Sequence, residues 1–546
     1  MSELKVITRE IKSSMKNRKR LELSLLASFL FQFVVTIYFN LFCIKPHTGF
    51  DSSWDYLKTV LIWNEKTLIN PSWAEQNNFL LDTTTLPATI FYGITKNVFL
   101  SYGICNILIL ILIFWCLSSI LTKMNIGLKG KLIALNLVIC PYLTNGFDGH
   151  LDIGYFSNVI SGATHSSVRV LIALLIIKQF ITIKETNKFG IETFITFALC
   201  ILTGASIGVF MLIMMFIPYI VYEIELLFIT NDWKVLTTKQ SIFGYICSAL
   251  IFLGKVIMEK GFGAAAIDTT RTWTVLEQFW HNFGSVFLGF MKLLGVLPVT
   301  TYDEVTILSM EGLTRIYPII IFAIIVLATI LMFRMFFKDM TKHSGIIMFL
   351  LNIVVCNYLT FSLFNVQYGQ YVFEDRYLIT TFFAIIILVA NFFNNLDERK
   401  IVTGALTLAL VIAFFGNNII SDVNYIVVRN KYYSEAEAID VYLDNANDSD
   451  LVYVWGNDLI SLERIIRVYD LDRVYKLVKN NGGYYHFGDY TTYDNNSDYK
   501  GVTYLIIDSS FDMVPDDILE QYELVETFNE LNLYRCEQNV IDYSGQ

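Results

Sequence analysis

The chain repeatedly runs for the length of a bilayer crossing with almost no charge. The first such stretch, 21–44, holds one acid, Glu22, and no Lys or Arg. About 20 apolar residues suffice for a helix to span the hydrocarbon core, so this stretch is long enough. It is too long for a signal-peptide core and no small-residue cleavage pattern follows, so it reads as a retained first span. Comparable runs recur as far as residue 420. Charged residues make up 16% of the chain and mean hydropathy is +0.51, whereas a soluble domain is about one quarter charged. The expected fold class is therefore mostly α. It is a polytopic membrane helix bundle of about eleven spans with a C-terminal extracytoplasmic α/β domain.

The basic residues orient the bundle. Residues 1–20 carry Lys5, Arg9, Lys12, Lys16, Arg18, Lys19 and Arg20. Further groups recur between alternate spans: Lys123, Lys129 and Lys131, then Lys178, Lys184 and Lys188, then Arg334, Lys338 and Lys342. The segment 144–168 has no Lys or Arg. Under the positive-inside rule this predicts a cytoplasmic basic N-terminus at 1–20 and a transmembrane domain at 21–420. The outer loops are then 45–97, 144–168 and 259–314, with the α/β domain of 421–546 outside. The apolar stretch 190–228 exceeds one span, and Gly204 to Gly208 reads as a tight outer turn within it. The run 285–297 is short for a span and reads as a re-entrant or interfacial helix.

The chemistry concentrates in the outer segments. Asp51, Trp54 and Asp55 stand at i, i+3 and i+4 and share one face if the segment is helical. A carboxylate pair beside an aromatic ring suits proton abstraction from a sugar hydroxyl, with the ring stacked on the sugar. Asp82 would face a cavity or cap the next helix. Asp148, His150 and Asp152 alternate, as strand residues on one side would, and could ligate a divalent metal, the one cofactor suggested. His165 and Arg169 stand one turn apart at a helix entry, where a buried Arg needs a carboxylate or an anion such as lipid phosphate. Lys260 and Arg271 in the long third loop, and Arg376 beside Glu374, are further candidates for a phosphate.

The remaining classes narrow. A net charge of −10 argues against a nucleic-acid partner, which requires a basic face. The eight cysteines form no CxxC or Cys/His cluster, so no zinc site or disulfide framework is read from them. After residue 421 the composition turns polar. Strands are expected at 451–454, 503–507 and 531–534, and helices at 434–445 and 457–467, with no Gly-rich nucleotide loop.

Four features together resemble the GT-C superfamily of polytopic glycosyltransferases, in the branch of protein O-mannosyltransferases and aminoarabinose transferases. These are Asp51 after the first span, the acidic and His-bearing segment from Asp148 to His165, Arg376-Tyr377-Leu378 at a late helix entry, and the strand–helix–strand tail from Tyr453 to Tyr469. The resemblance implies a polyprenyl-phosphate-linked sugar as donor and a glycan or lipid acceptor at the bilayer surface. It implies Asp51 as base or acceptor-positioning group, with Asp55 beside it, and Asp148 or Asp152 as the second-loop acid. Relatives differ in metal use, so the resemblance does not carry metal dependence over. A transporter or flippase of lipid-linked glycans would instead need ionisable residues within the spans, and these spans hold few. A non-catalytic assembly or sensor protein would use the tail as its binding module.

Overall fold

The computed structural model describes residues 2–68, 81–145, 151–152, 154–207, 210–261, 276–297, 315–338, 345–364, 372–396, 401–430, 432–447, 449–456, 459–469, 471, 474–478, 484–485, 500–509, 514 and 516–540. The chain divides into two compact units, one comprising 1–40, 77–84 and 105–428, the other 41–76, 85–104 and 429–546.

The first unit is helical. Its main helices are α1 (Ser2–Phe42), α4 (Val98–Lys123), α5 (Leu128–Ile139), α6 (Ser167–Thr186), α7 (Ile191–Ile207), α8 (Ile217–Thr230), α9 (Lys239–Val256), α10 (Phe279–Leu293), α11 (Ile316–Lys338), α12 (Ile346–Leu363), α13 (Ile379–Asn395) and α14 (Ile401–Val427). The ends of α1 and α4 that fall at 41–42 and 98–104 belong to the other unit. Among the described residues eight helices are long and apolar enough to cross a membrane, against about eleven expected. Three expected spans fall short of that measure. They are α5 at 12 residues, α7 at 17, and α6, which carries Arg169, Lys178, Lys184 and Glu185. Many large apolar side chains point outward, Phe228 at 81% exposure and Ile191 at 79% among them. Lipid, not water, is the solvent that such a surface fits.

The expected turn at Gly204 is instead helical, and Gly208 lies outside the described residues. A Cβ on Gly204 would come within 2.0 Å of the Ile251 carbonyl oxygen, and one on Gly254 within 2.2 Å of Ile201 O. These glycines let the backbones of α7 and α9 touch, as small residues do between membrane helices. Near the second acidic segment, the two-residue strands β1 (Thr144–Asn145) and β2 (Leu151–Asp152) pair antiparallel, Thr144 opposite Asp152. The 15 residues of α10 reach about 22 Å at 1.5 Å per residue, less than the hydrocarbon core. Its Ser285 carbonyl accepts from Phe373 N at 3.1 Å.

The second unit joins the first connecting segment to the tail. It contains α2 (Phe50–Glu65), α3 (Thr85–Thr95), α15 (Tyr433–Leu443), α16 (Leu459–Tyr469) and α17 (Asp516–Leu519). Its sheet is β3 (Leu451–Trp455), β4 (Val474–Val478), β5 (Tyr484–Tyr485), β6 (Thr503–Asp508), β7 (Glu523–Phe528) and β8 (Leu531–Cys536), in the order β5-β4-β3-β6-β8-β7. The central β3 runs parallel to β4 and β6. Both its faces are covered: Val452 and Val454 pack with Ile439, Leu462 and Ile466, while Leu451, Tyr453 and Trp455 pack with Leu505 and Tyr522. That is why Leu-Val-Tyr-Val-Trp is apolar throughout and does not alternate with polar residues.

Candidate functional site

The N-terminal turn of α2 is built by its own sequence. Ser52 Oγ accepts from Gly49 N at 2.7 Å and donates to Gly49 O at 3.1 Å, tying the turn to its start. Asp51 lies in this first turn, where a carboxylate also meets the positive end of the helix dipole. The helix turns the i, i+3, i+4 spacing of Asp51, Trp54 and Asp55 into neighbours on one face. Their exposure differs sharply. Asp51 is exposed, whereas Trp54 is 4% exposed and Asp55 0%. The helix is anchored at Tyr102, whose hydroxyl donates to the Asp55 carbonyl at 2.9 Å and lies 2.8 Å from Thr59 Oγ1.

The ring face of Trp54 holds a guanidinium where a sugar was expected. Arg464 of α16 sits with its Cζ 3.8 Å from the ring centroid and is itself 1% exposed. Burial pushes Arg464 down to about 9, while the carboxylates of Glu463 and Asp51 hold it up and Arg467 opposes them. It therefore stays charged at neutral pH. Glu463 is also paired with Arg467, both buried. In this conformation solvent reaches Asp51, and Asp55 is shielded from it.

The other site residues lie in the first unit. Asp82 neither caps a helix nor faces open space. It is fully buried and lies 3.0 Å from Arg169 Nε, and it accepts from Thr203 Oγ1 and Ser206 Oγ at 2.6 Å each. Arg169 Nη2 is buried and donates no hydrogen bond to the described residues. Arg376 Nη2 lies 2.6 Å from Glu374 Oε1, both partly exposed, in the short 3-10 turn that leads into α13. Its buried neighbour Asp375 lies 3.6 Å from Lys292 of α10. His165 is half-buried just before α6, and Lys260 is exposed. Asp148, His150 and Arg271 fall outside the described residues, as does the side chain of Asp152. No cluster of metal-ligating side chains occurs among the described residues.

One residue of this arrangement, Arg464, is not marked by any sequence motif. Arg464 stands in a tail helix whose Leu, Ile and Val flank it on both sides, and that apolar context was the available sign of burial. Asp82 and Arg169 were each noticed but not paired. The excess of Thr and Ser near Asp82, Thr203 and Ser206 was the hint of a buried polar cluster.

Comparison with solved structures settles the fold. ArnT from Cupriavidus metallidurans bound to undecaprenyl phosphate matches over 93% of this chain and 97% of its own, with TM-score 0.57 and 9% identity. Its apo form matches over the same shares, with TM-score 0.57 and 8% identity. The chain has the GT-C fold. The arabinofuranosyltransferase AftD from Mycobacteria also matches, over 95% of this chain but 40% of its own length, with TM-score 0.50 and 10% identity. No family model and no curated protein matches the sequence. At such low identity the GT-C fold is shared while the side chains must be read from this chain itself.

Proposed function

We propose that the protein is a membrane glycosyltransferase. It moves a sugar from a polyprenyl-phosphate donor to a cell-surface acceptor, a polysaccharide, glycolipid or cell-wall polymer, on the outer face of the membrane. The observation that carries this reading is the likeness along almost the whole chain to a protein solved with undecaprenyl phosphate. The exposed Asp51 at a helix N-terminus supplies the chemistry. An acceptor hydroxyl oxygen attacks the anomeric carbon, the carbon–oxygen bond to the phosphate breaks, and polyprenyl phosphate leaves with the electron pair. The hydroxyl proton passes to the Asp51 carboxylate. Within the first unit, taken by itself, Arg169 with its spare buried donor and Arg376 with its planar fork are cations of the kind that suits a phosphate. The N-terminus lies inside and the tail outside, as the basic residues indicate.

The test is sugar transfer from undecaprenyl-phosphate-linked sugars in nanodiscs, comparing wild type with Asp51→Asn. Transfer by wild type and its loss in the variant are expected. A wild type that transfers from no prenyl donor overturns the enzyme reading in favour of transport of lipid-linked glycans or a sensor role.

A further inference from the structure

We propose that Arg464 is a positioning residue for Asp51: its stack on Trp54 lets the tail hold the first-loop acid in working geometry. This rests on Asp51 as the base. Three observations converge on it. The segment before α2 is fastened to the tail, with Asn430 N donating to Pro46 O at 2.9 Å and Tyr469 Oη donating to Lys45 O at 3.4 Å. Lys45 Nζ lies 3.3 Å from Glu437 and 4.4 Å from the Tyr469 ring centroid. Within that frame Arg464 and Trp54 are stacked and both almost completely buried. Asp51 lies one turn before Trp54 on α2, and its negative charge favours the charged guanidinium.

A docking contact alone would not call for this residue. Methionine would fill the same space without desolvating a charge, which costs several kcal/mol even after relaxation. What the guanidinium adds is direction. Its Cζ sits 3.8 Å from the indole centroid, and its charge draws the first turn of α2 towards one orientation. If the stack is lost, α2 stays a helix but its first turn is held less tightly, and Asp51 moves with it.

The experiment uses the full chain in nanodiscs with the variants Arg464→Met, Arg464→Lys, Trp54→Leu and the Met/Leu double. Hydrogen exchange is followed at amides 53–58 and, as control, 503–508, and transfer kinetics are measured with an undecaprenyl-phosphate-linked sugar. Arg464→Met is expected to speed exchange at 53–58 by about twofold to thirtyfold, the range of a buried cation–π contact. Exchange at 503–508 should stay unchanged. kcat should fall about tenfold to a hundredfold, as small misplacements do, with the donor KM held. Trp54→Leu should match it, the double variant should be no worse than either single, and Arg464→Lys should fall between. Unchanged exchange at 53–58, an additive double variant, equal loosening at 503–508, or a raised donor KM with kcat preserved would each overturn the proposal. A wild type without transfer activity would instead sink the glycosyltransferase reading, while the exchange data still decide whether Arg464 holds α2.

Discussion

Arg169 Nε stands 3.0 Å from Asp82 Oδ1, and the Asp82 side chain has no solvent exposure at all. The pair answers a cost visible in each residue alone: an ion in an apolar bundle needs an opposite charge and hydrogen bonds to offset desolvation. Asp82 has both, through Arg169, Thr203 and Ser206. Removing one partner leaves the other charge buried and uncompensated. Arg169→Met should therefore destabilise the protein by about 3–5 kcal/mol. Adding Asp82→Leu to it should restore part of that loss. Thermal unfolding in detergent checks both, and a double variant no more stable than Arg169→Met would contradict the pairing.

Gly204 makes a second prediction about the bundle. A methyl group there would meet the Ile251 carbonyl oxygen at 2.0 Å, and backbone cannot yield as a flexible side chain can. Gly204→Ala should force α7 and α9 apart and cost about 1–3 kcal/mol or more. Gly404→Ala is the control, because a Cβ there has nothing within 4 Å. The two variants should separate clearly in melting temperature, Gly404→Ala lying near wild type.

Gly204 also shows where sequence reading stops. Two glycines four apart in a long apolar stretch suit a turn and a helix–helix contact equally, and only the position of Ile251 decides. Local pattern was sufficient for β3, β6 and β8, whose apolar runs are short and bounded, whereas for α2 it gave the carboxylate spacing and left the helix conditional. It was sufficient for the likeness to GT-C proteins as well. It was insufficient for Trp54, because an exposed-looking indole in a polar segment gives no sign that a distant arginine will cover it. Pairings such as Arg464 with Trp54 or Arg169 with Asp82 are properties of the fold, and no periodicity encodes them.

Arg376 should matter for ligand and little for stability. Its pair with Glu374 is well exposed on both sides, 39% and 42%, and such pairs contribute about 0–1 kcal/mol. Arg376→Lys keeps the charge and loses the planar fork. The melting temperature should hardly move, while binding of undecaprenyl phosphate, followed by native mass spectrometry, should weaken. Wild-type binding and turnover in this variant would reduce Arg376 to an interfacial anchor.

The two first-loop acids should part company under the same substitution. Asp51 is exposed and Asp55 is 0% exposed, although they lie one turn apart on α2. Asp51→Asn keeps the shape and removes the basicity, so transfer should fall about a hundredfold to ten-thousandfold, the usual worth of a general base. Its melting temperature should stay within error, because an exposed side chain in a first turn contributes little to stability. Asp55→Asn replaces a fully buried carboxylate with an amide of equal size, and the consequence there is structural. It should lower the melting temperature, and its loss of activity should follow the fraction of protein that remains folded. Asp148→Asn runs in parallel as the rival base. Full activity in Asp51→Asn would remove it from the chemistry, and if Asp148→Asn alone were inactive the base would move to the second acidic segment. Asp55→Asn with normal stability and abolished transfer would mean that α2 opens during turnover and that the buried acid, not the exposed one, takes the proton.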